Sequence, residues 1–108
     1  MRFAIEKLAR DFPERPLGVM LGEMRELGNY AQKAHADLVT YVSKHPQIRW
    51  VCWLGQMYKA FVKDGHEWYD ITEKNKAVEA LKSMVDEGYA ILVKGSRSLQ
   101  METIIRQL

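Results

Sequence analysis

Apolar residues along the chain fall into short blocks of two different periods, and the blocks predict the elements. Ala4, Ile5, Leu8, Ala9 and Phe12 recur at helical spacing until Pro13-Glu14-Arg15-Pro16, where proline cannot continue a helix, so a first helix ends near Asp11. Leu17 to Leu21 is a short apolar run between Pro16 and Gly22, the pattern of a strand buried on both faces. A turn over Gly22 to Asn29 follows. Ala31, Ala34, Leu38, Val39, Tyr41 and Val42 then trace one face of a second helix, which Pro46 closes. Ile48 to Leu54 reads as a second strand. Gly55 opens a short amphipathic piece with Met57, Tyr58, Phe61 and Val62, predicted as a third helix that Lys63-Asp64-Gly65 ends. His66 to Tyr69 suits a brief edge strand. Thr72 is the expected N-cap of a helix with Ala77, Val78, Leu81, Met84 and Val85 on its apolar face and Gly88 as its stop. Tyr89 to Val93 is the clearest strand, and Met101, Ile104, Ile105 and Leu108 space out one face of a last helix.

Strands alternating with helices imply an α/β fold of three layers, with a mostly parallel sheet of about four to six strands and helices on both faces. Ligands of such sheets sit at the carboxyl ends of the strands. Two segments at that end are richer in polar residues and glycine than a plain connection requires: Gly22 to Asn29 and Lys94 to Ser98.

Composition narrows the class. The 108 residues suit one domain, long enough to bury roughly two thirds of its unfolded surface. Hydrophobic residues at 47% and charged residues at 28% are globular usage. Sixteen Lys and Arg against fourteen Asp and Glu leave +2, spread along the chain, which argues against a nucleic-acid partner. The single cysteine, Cys52, lies in the apolar run Trp50-Val51-Cys52-Trp53-Leu54, is expected to pack as a small apolar group, and suits a reducing cytoplasm. Charge interrupts the N-terminus before a signal core forms, and no apolar stretch reaches the roughly 18 residues of a bilayer span, so membrane insertion is not expected.

Lys94-Gly95-Ser96-Arg97-Ser98 sets two cations, two hydroxyls and a glycine ahead of a helix N-terminus, whose free N-H groups favour an anion. Arg97 can grip a carboxylate through two parallel hydrogen bonds, Lys94 supplies a point charge, and Gly95 allows close backbone approach. The same residues also fit a plain reading, with Ser96 or Ser98 capping the last helix and both cations solvated. In Leu21-Gly22-Glu23-Met24-Arg25-Glu26-Leu27-Gly28, Glu23 and Glu26 stand three apart, so one turn can present both acids to an ammonium or hydroxyl. A solvated helix start fits as well. Spacing alone does not choose between these readings. His35 lies at the edge of the second helix's apolar face, as a packed residue or a functional one, and His35, His45, His66 and Cys52 show no metal-ligand spacing. Trp50, Trp53 and Trp68 read as core or interface anchors. The chain has no phosphate loop, dinucleotide loop, nucleophile elbow or Cys-x-x-Cys pair, which argues against a different small doubly wound enzyme.

Leu21-Gly22-Glu23-Met24-Arg25-Glu26-Leu27-Gly28 followed by His35, and Leu92-Val93-Lys94-Gly95-Ser96-Arg97-Ser98 followed by Met101-Glu102, resemble the third domain of the UDP-N-acetylmuramoyl-tripeptide-D-alanyl-D-alanine ligases of the Mur ligase family. There the first loop usually reads Leu-Gly-Asp-Met-x-Glu-Leu-Gly with a histidine seven residues later, and the second Val-Lys-Gly-Ser-Arg with a later Met-Glu pair. Both motifs occur here in order, and the resemblance covers nearly the whole chain. Glu23 departs from the family's aspartate by one methylene.

The resemblance implies a Rossmann-like fold, with residues 1–108 as the third domain, without the UDP-sugar-binding and ATP-binding domains that precede it in the family. The family leads into this region through Asn-Ala-Asn-Pro-x-Ser-Met, whose final methionine Met1 resembles. Mur ligases use ATP and magnesium to phosphorylate the terminal carboxylate of the UDP-linked peptide. The amine of D-alanyl-D-alanine then attacks the acyl phosphate and releases phosphate, in peptidoglycan precursor synthesis. The third domain closes over the central domain and brings the amine. By resemblance, Lys94, Gly95, Ser96 and Arg97 line the substrate side of the cleft. Gly22, Glu23 and Glu26 form the facing loop, His35 braces it, and Ser98 is supporting. On this reading the domain alone is expected to be inactive and to bind neither ATP nor magnesium. The competing reading is a stand-alone α/β binding or interaction module that kept the ligase fold without catalysis.

Overall fold

The computed structural model describes residues 2–24 and 30–94. Helix α1 covers Arg2–Asp11, strand β1 Leu17–Gly22, helix α2 Ala31–Lys44 and strand β2 Ile48–Leu54. Strand β3 covers Glu67–Tyr69, helix α3 Lys74–Asp86 and strand β4 Ala90–Lys94. The four strands form one sheet in the order β3-β2-β1-β4. Every neighbouring pair is parallel.

Because successive side chains of a strand point to opposite faces, the two innermost strands feed two cores. Val19 and Leu21 of β1 and Val51 and Trp53 of β2 face Ile5 of α1 and Leu38, Val39 and Val42 of α2. Met20, Trp50, Cys52 and Leu54 face Ala77, Val78 and Leu81 of α3 on the other side. This is the expected three-layer α/β arrangement, and β1 is buried along its whole length. Each large aliphatic side chain buried this way contributes about 1.5–3 kcal/mol. Gly18 makes room for a neighbour: a Cβ there would stand 2.9 Å from Trp50 Cε3 and 3.2 Å from Ile91 Cγ1.

Three expectations change. The predicted third helix is a 3-10 helix, Gln56–Phe61, because only six residues separate Gly55 from the extended Val62 and the turn tightens to an i→i+3 bond from Tyr58 N to Gly55 O (3.3 Å). Thr72 is not the N-cap. Glu73 stands at the N-cap of α3 without a side-chain cap bond, and the side-chain cap lies earlier, at Asp70: its Oδ2 accepts from Thr72 N (3.1 Å) and Thr72 Oγ1 (2.7 Å), while Glu73 Oε1 accepts from Asp70 N (3.2 Å). This reciprocal capping box starts a short 3-10 turn, Ile71–Glu73, that runs into α3. Val85 is half exposed and Met84 continues the apolar stripe instead. Gly88 does stop α3: at φ 91° its N-H reaches Val85 O (3.0 Å) and Tyr89 N reaches Met84 O (3.1 Å), a left-handed close that favours glycine. The predicted last helix lies outside the described residues.

Candidate functional site

The strand order locates the site before any side chain is considered. From β1 the chain crosses through α2 to β2 on one side, whereas β4 lies on the other side of β1. Connections therefore diverge at the β1/β4 boundary, and ligands of such sheets bind at that boundary, at the carboxyl ends of the strands. Gly22 ends β1 at this boundary, and Lys94, the exposed last residue of β4, is in register with Leu21.

Gly22, Glu23 and Met24 leave β1 along a fixed path. Glu23 N donates to Leu54 O (3.0 Å), so the loop stays tied to β2 one residue beyond the strand. Glu23 is buried at 5% exposure, and its Oε2 accepts from Met57 N at 3.1 Å. The carboxylate is turned inward over Gly55, whose φ of 114° favours glycine. A Cβ on Gly55 would also meet the Glu23 side chain, 2.6 Å from Cδ and 2.8 Å from Cγ.

His35 lies fully buried on the inner face of α2 beneath the same loop. Its Nε2 accepts from Met24 N at 2.8 Å, which assigns the proton to Nδ1, in short contact with Ala31 O. The ring packs edge-on against Tyr58 with centroids 4.6 Å apart, and Tyr58 packs against Trp53 at 4.5 Å. Tyr58 Oη donates to Gly22 O at 3.2 Å. Burial, and next the charge of Glu23, push the Tyr58 hydroxyl well above its ordinary range, so it remains a donor. On the far side of the corner, Gln56 Nε2 donates to Asp70 Oδ1 (2.8 Å) and Trp68 Nε1 to Gly55 O (2.8 Å).

Of the residues singled out in the sequence, Gly22, Glu23 and His35 come together in one cluster, and Lys94 stands at the neighbouring strand end. Glu26, Gly95, Ser96, Arg97 and Ser98 lie outside the described residues. Sequence reasoning missed Gly55, Met57 and Tyr58. A glycine directly after a buried strand was the one available signal for them. The other histidines serve elsewhere: His45 Nε2 lies 3.2 Å from Glu6 Oε1, and His66 Nδ1 accepts from Trp53 Nε1 at 3.0 Å. A shallow cleft between Pro13–Pro16 and Pro46–Arg49 lies at the opposite, amino end of the strands, away from this corner.

The fold is that of a carboxyl-terminal domain of the Mur ligases, and the chain belongs to that family: the family described as "Mur ligase, glutamate ligase domain" matches residues 1–97. More particularly, the chain is similar to two crystal structures of MurF from Acinetobacter baumannii. The first has 20% identity and a TM-score of 0.76, the second 21% and 0.73, and each covers 98% of this chain. The matched regions are 24% and 25% of those proteins, so the chain spans about a quarter of their length. No curated protein matches it. Among the described residues, no helix is long and apolar enough to cross a membrane.

Proposed function

We propose that this chain is the C-terminal substrate-binding domain of an ATP-dependent ligase that joins D-alanyl-D-alanine to UDP-N-acetylmuramoyl-tripeptide. The observation that carries the reading is the pinned Gly22-Glu23-Met24 loop at the β1/β4 divergence, beside the strand end where Lys94 leads into Gly95-Ser96-Arg97-Ser98. The chemistry fits a small zwitterion. Arg97, by two parallel hydrogen bonds, and Lys94, as a point charge, suit the dipeptide's carboxylate, while the rigid loop opposite limits where its amine can lie. Glu26 and Ser98 belong to the same corner on this reading, and His35 supports the loop from below.

The described residues do not fit a magnesium site: no three His, Cys, Asp or Glu side chains among them converge, and Glu23 is committed inward. On this reading ATP and magnesium act in the parent ligase, and this domain supplies orientation and exclusion of water.

The test is a titration of the 15N-labelled chain with D-alanyl-D-alanine. Binding by half a cleft is expected to be weak, with a Kd on the order of 1 mM, or about 4 kcal/mol. Amide shifts should concentrate at Gly22 to Met24 and Lys94 to Ser98, and Arg97→Ala should abolish them. Shifts that scatter over the surface, or that L-alanyl-L-alanine and the Arg97→Ala variant reproduce, would sink the proposal. In the ligase itself, Arg97→Ala should raise KM for the dipeptide far more than KM for ATP.

A further inference from the structure

Three successive backbone or side-chain groups of the loop are each held by a group from another element. Gly22 O accepts from Tyr58 Oη (3.2 Å), Glu23 Oε2 accepts from Met57 N (3.1 Å), and Met24 N donates to His35 Nε2 (2.8 Å). Two of the three partners belong to the 3-10 segment after β2, which no recognised motif includes. That segment is itself fixed at its start by Gly55, whose N-H reaches Tyr69 O (3.1 Å) and whose carbonyl accepts from Trp68 Nε1 (2.8 Å). Besides the direct bond from Glu23 N to Leu54 O, the loop after β1 is therefore seated on β2 and β3 through Gly55, Met57 and Tyr58.

From this arrangement we infer that Tyr58 and Gly55 are positioning residues for the dipeptide, setting the height and direction at which the Gly22-Met24 backbone faces it. The inference rests on the dipeptide reading proposed above. Tyr58 acts through the hydroxyl that holds Gly22 O, and its ring packs against both His35 and Trp53. Gly55 acts by having no side chain. Any Cβ there enters the Glu23 carboxylate, and the φ of 114° is strained for other residues.

Tyr58→Phe isolates the hydroxyl, because both ring contacts remain. Two readouts are taken on the full 108-residue chain. The first is hydrogen exchange at the Met24 amide relative to the Val51 amide in β2. Loss of one buried hydrogen bond should speed Met24 exchange about fivefold and leave Val51 unchanged. The second is the dipeptide Kd from the titration above, which should weaken by a similar factor of about five. Gly55→Ala should have a larger effect on both, and if it fails to fold the Tyr58→Phe result decides. Met24 exchange or a Kd that stays at the wild-type value in Tyr58→Phe overturns the inference. Failure of the wild-type chain to bind the dipeptide overturns the ligand reading instead, and the exchange measurement still judges whether Tyr58 sets the loop.

Discussion

His35 has two ring nitrogens, and both are engaged, one by the loop it supports and one by its own helix. Removing the ring leaves Met24 N and Ala31 O without those partners and opens a cavity beside Tyr58. His35→Ala should therefore cost about 2–4 kcal/mol of folding free energy in urea titration. His35→Gln, which can offer one oxygen to Met24 N, should recover part of that loss. An alanine variant as stable as the parent would show that the loop does not depend on the ring. How far residues could be read before the structure follows from the range of their contacts. Gly22, Glu23 and His35 stood out through local pattern and motif. Met57 and Tyr58 did not, since the hydrogen bonds that make them important reach across 34 and 36 positions, and a tyrosine on an amphipathic segment looks like any other core residue.

At the level of elements, the start of α3 offers a pH-dependent test. The exposed Asp70 carboxyl is held down at about 2, first by the Thr72 hydroxyl and then by Gln56 and the Thr72 N-H. A carboxyl whose folded value lies below its unfolded value of 3.8 stabilises the fold above that pH and loses its contribution as pH falls towards 2. Wild type should exceed Asp70→Ala in stability by a constant margin above about pH 5, and the margin should close between about pH 4 and pH 2. A margin independent of pH would assign the effect to something other than the charged cap. Element order was legible because proline, glycine and apolar period mark each boundary. The misread pieces are the short ones: six residues after Gly55 allow a tight turn as readily as an α-turn, and Asp70-Ile71-Thr72-Glu73 holds two possible caps whose competition only geometry decides.

For the molecule as a whole, Cys52 is a built-in reporter. It is fully buried between the sheet and α3, and burial, with a smaller push from Glu67, raises its thiol far above the usual range. Since the thiolate is the reactive form, alkylation should wait for global opening. With a stability of about 5–15 kcal/mol, labelling by iodoacetamide should be slower than for the unfolded chain by a factor of a thousand or more. Fast labelling at neutral pH would mean that the α3 face opens independently of the rest.

The sheet order also dictates when the corner comes into being. Within this sheet β1 is made before the other strands, yet the partner on its outer side, β4, is made last of the four. On a translating ribosome, which releases the chain from its N-terminal end, β1 can pair with β2 early and must then wait with one edge open until Ala90–Lys94 emerges. The carboxyl end of β1 has no Lys94 beside it before that moment. A chain cut short before β4 would thus carry a central strand with one edge open, so premature termination yields material prone to stick to other chains.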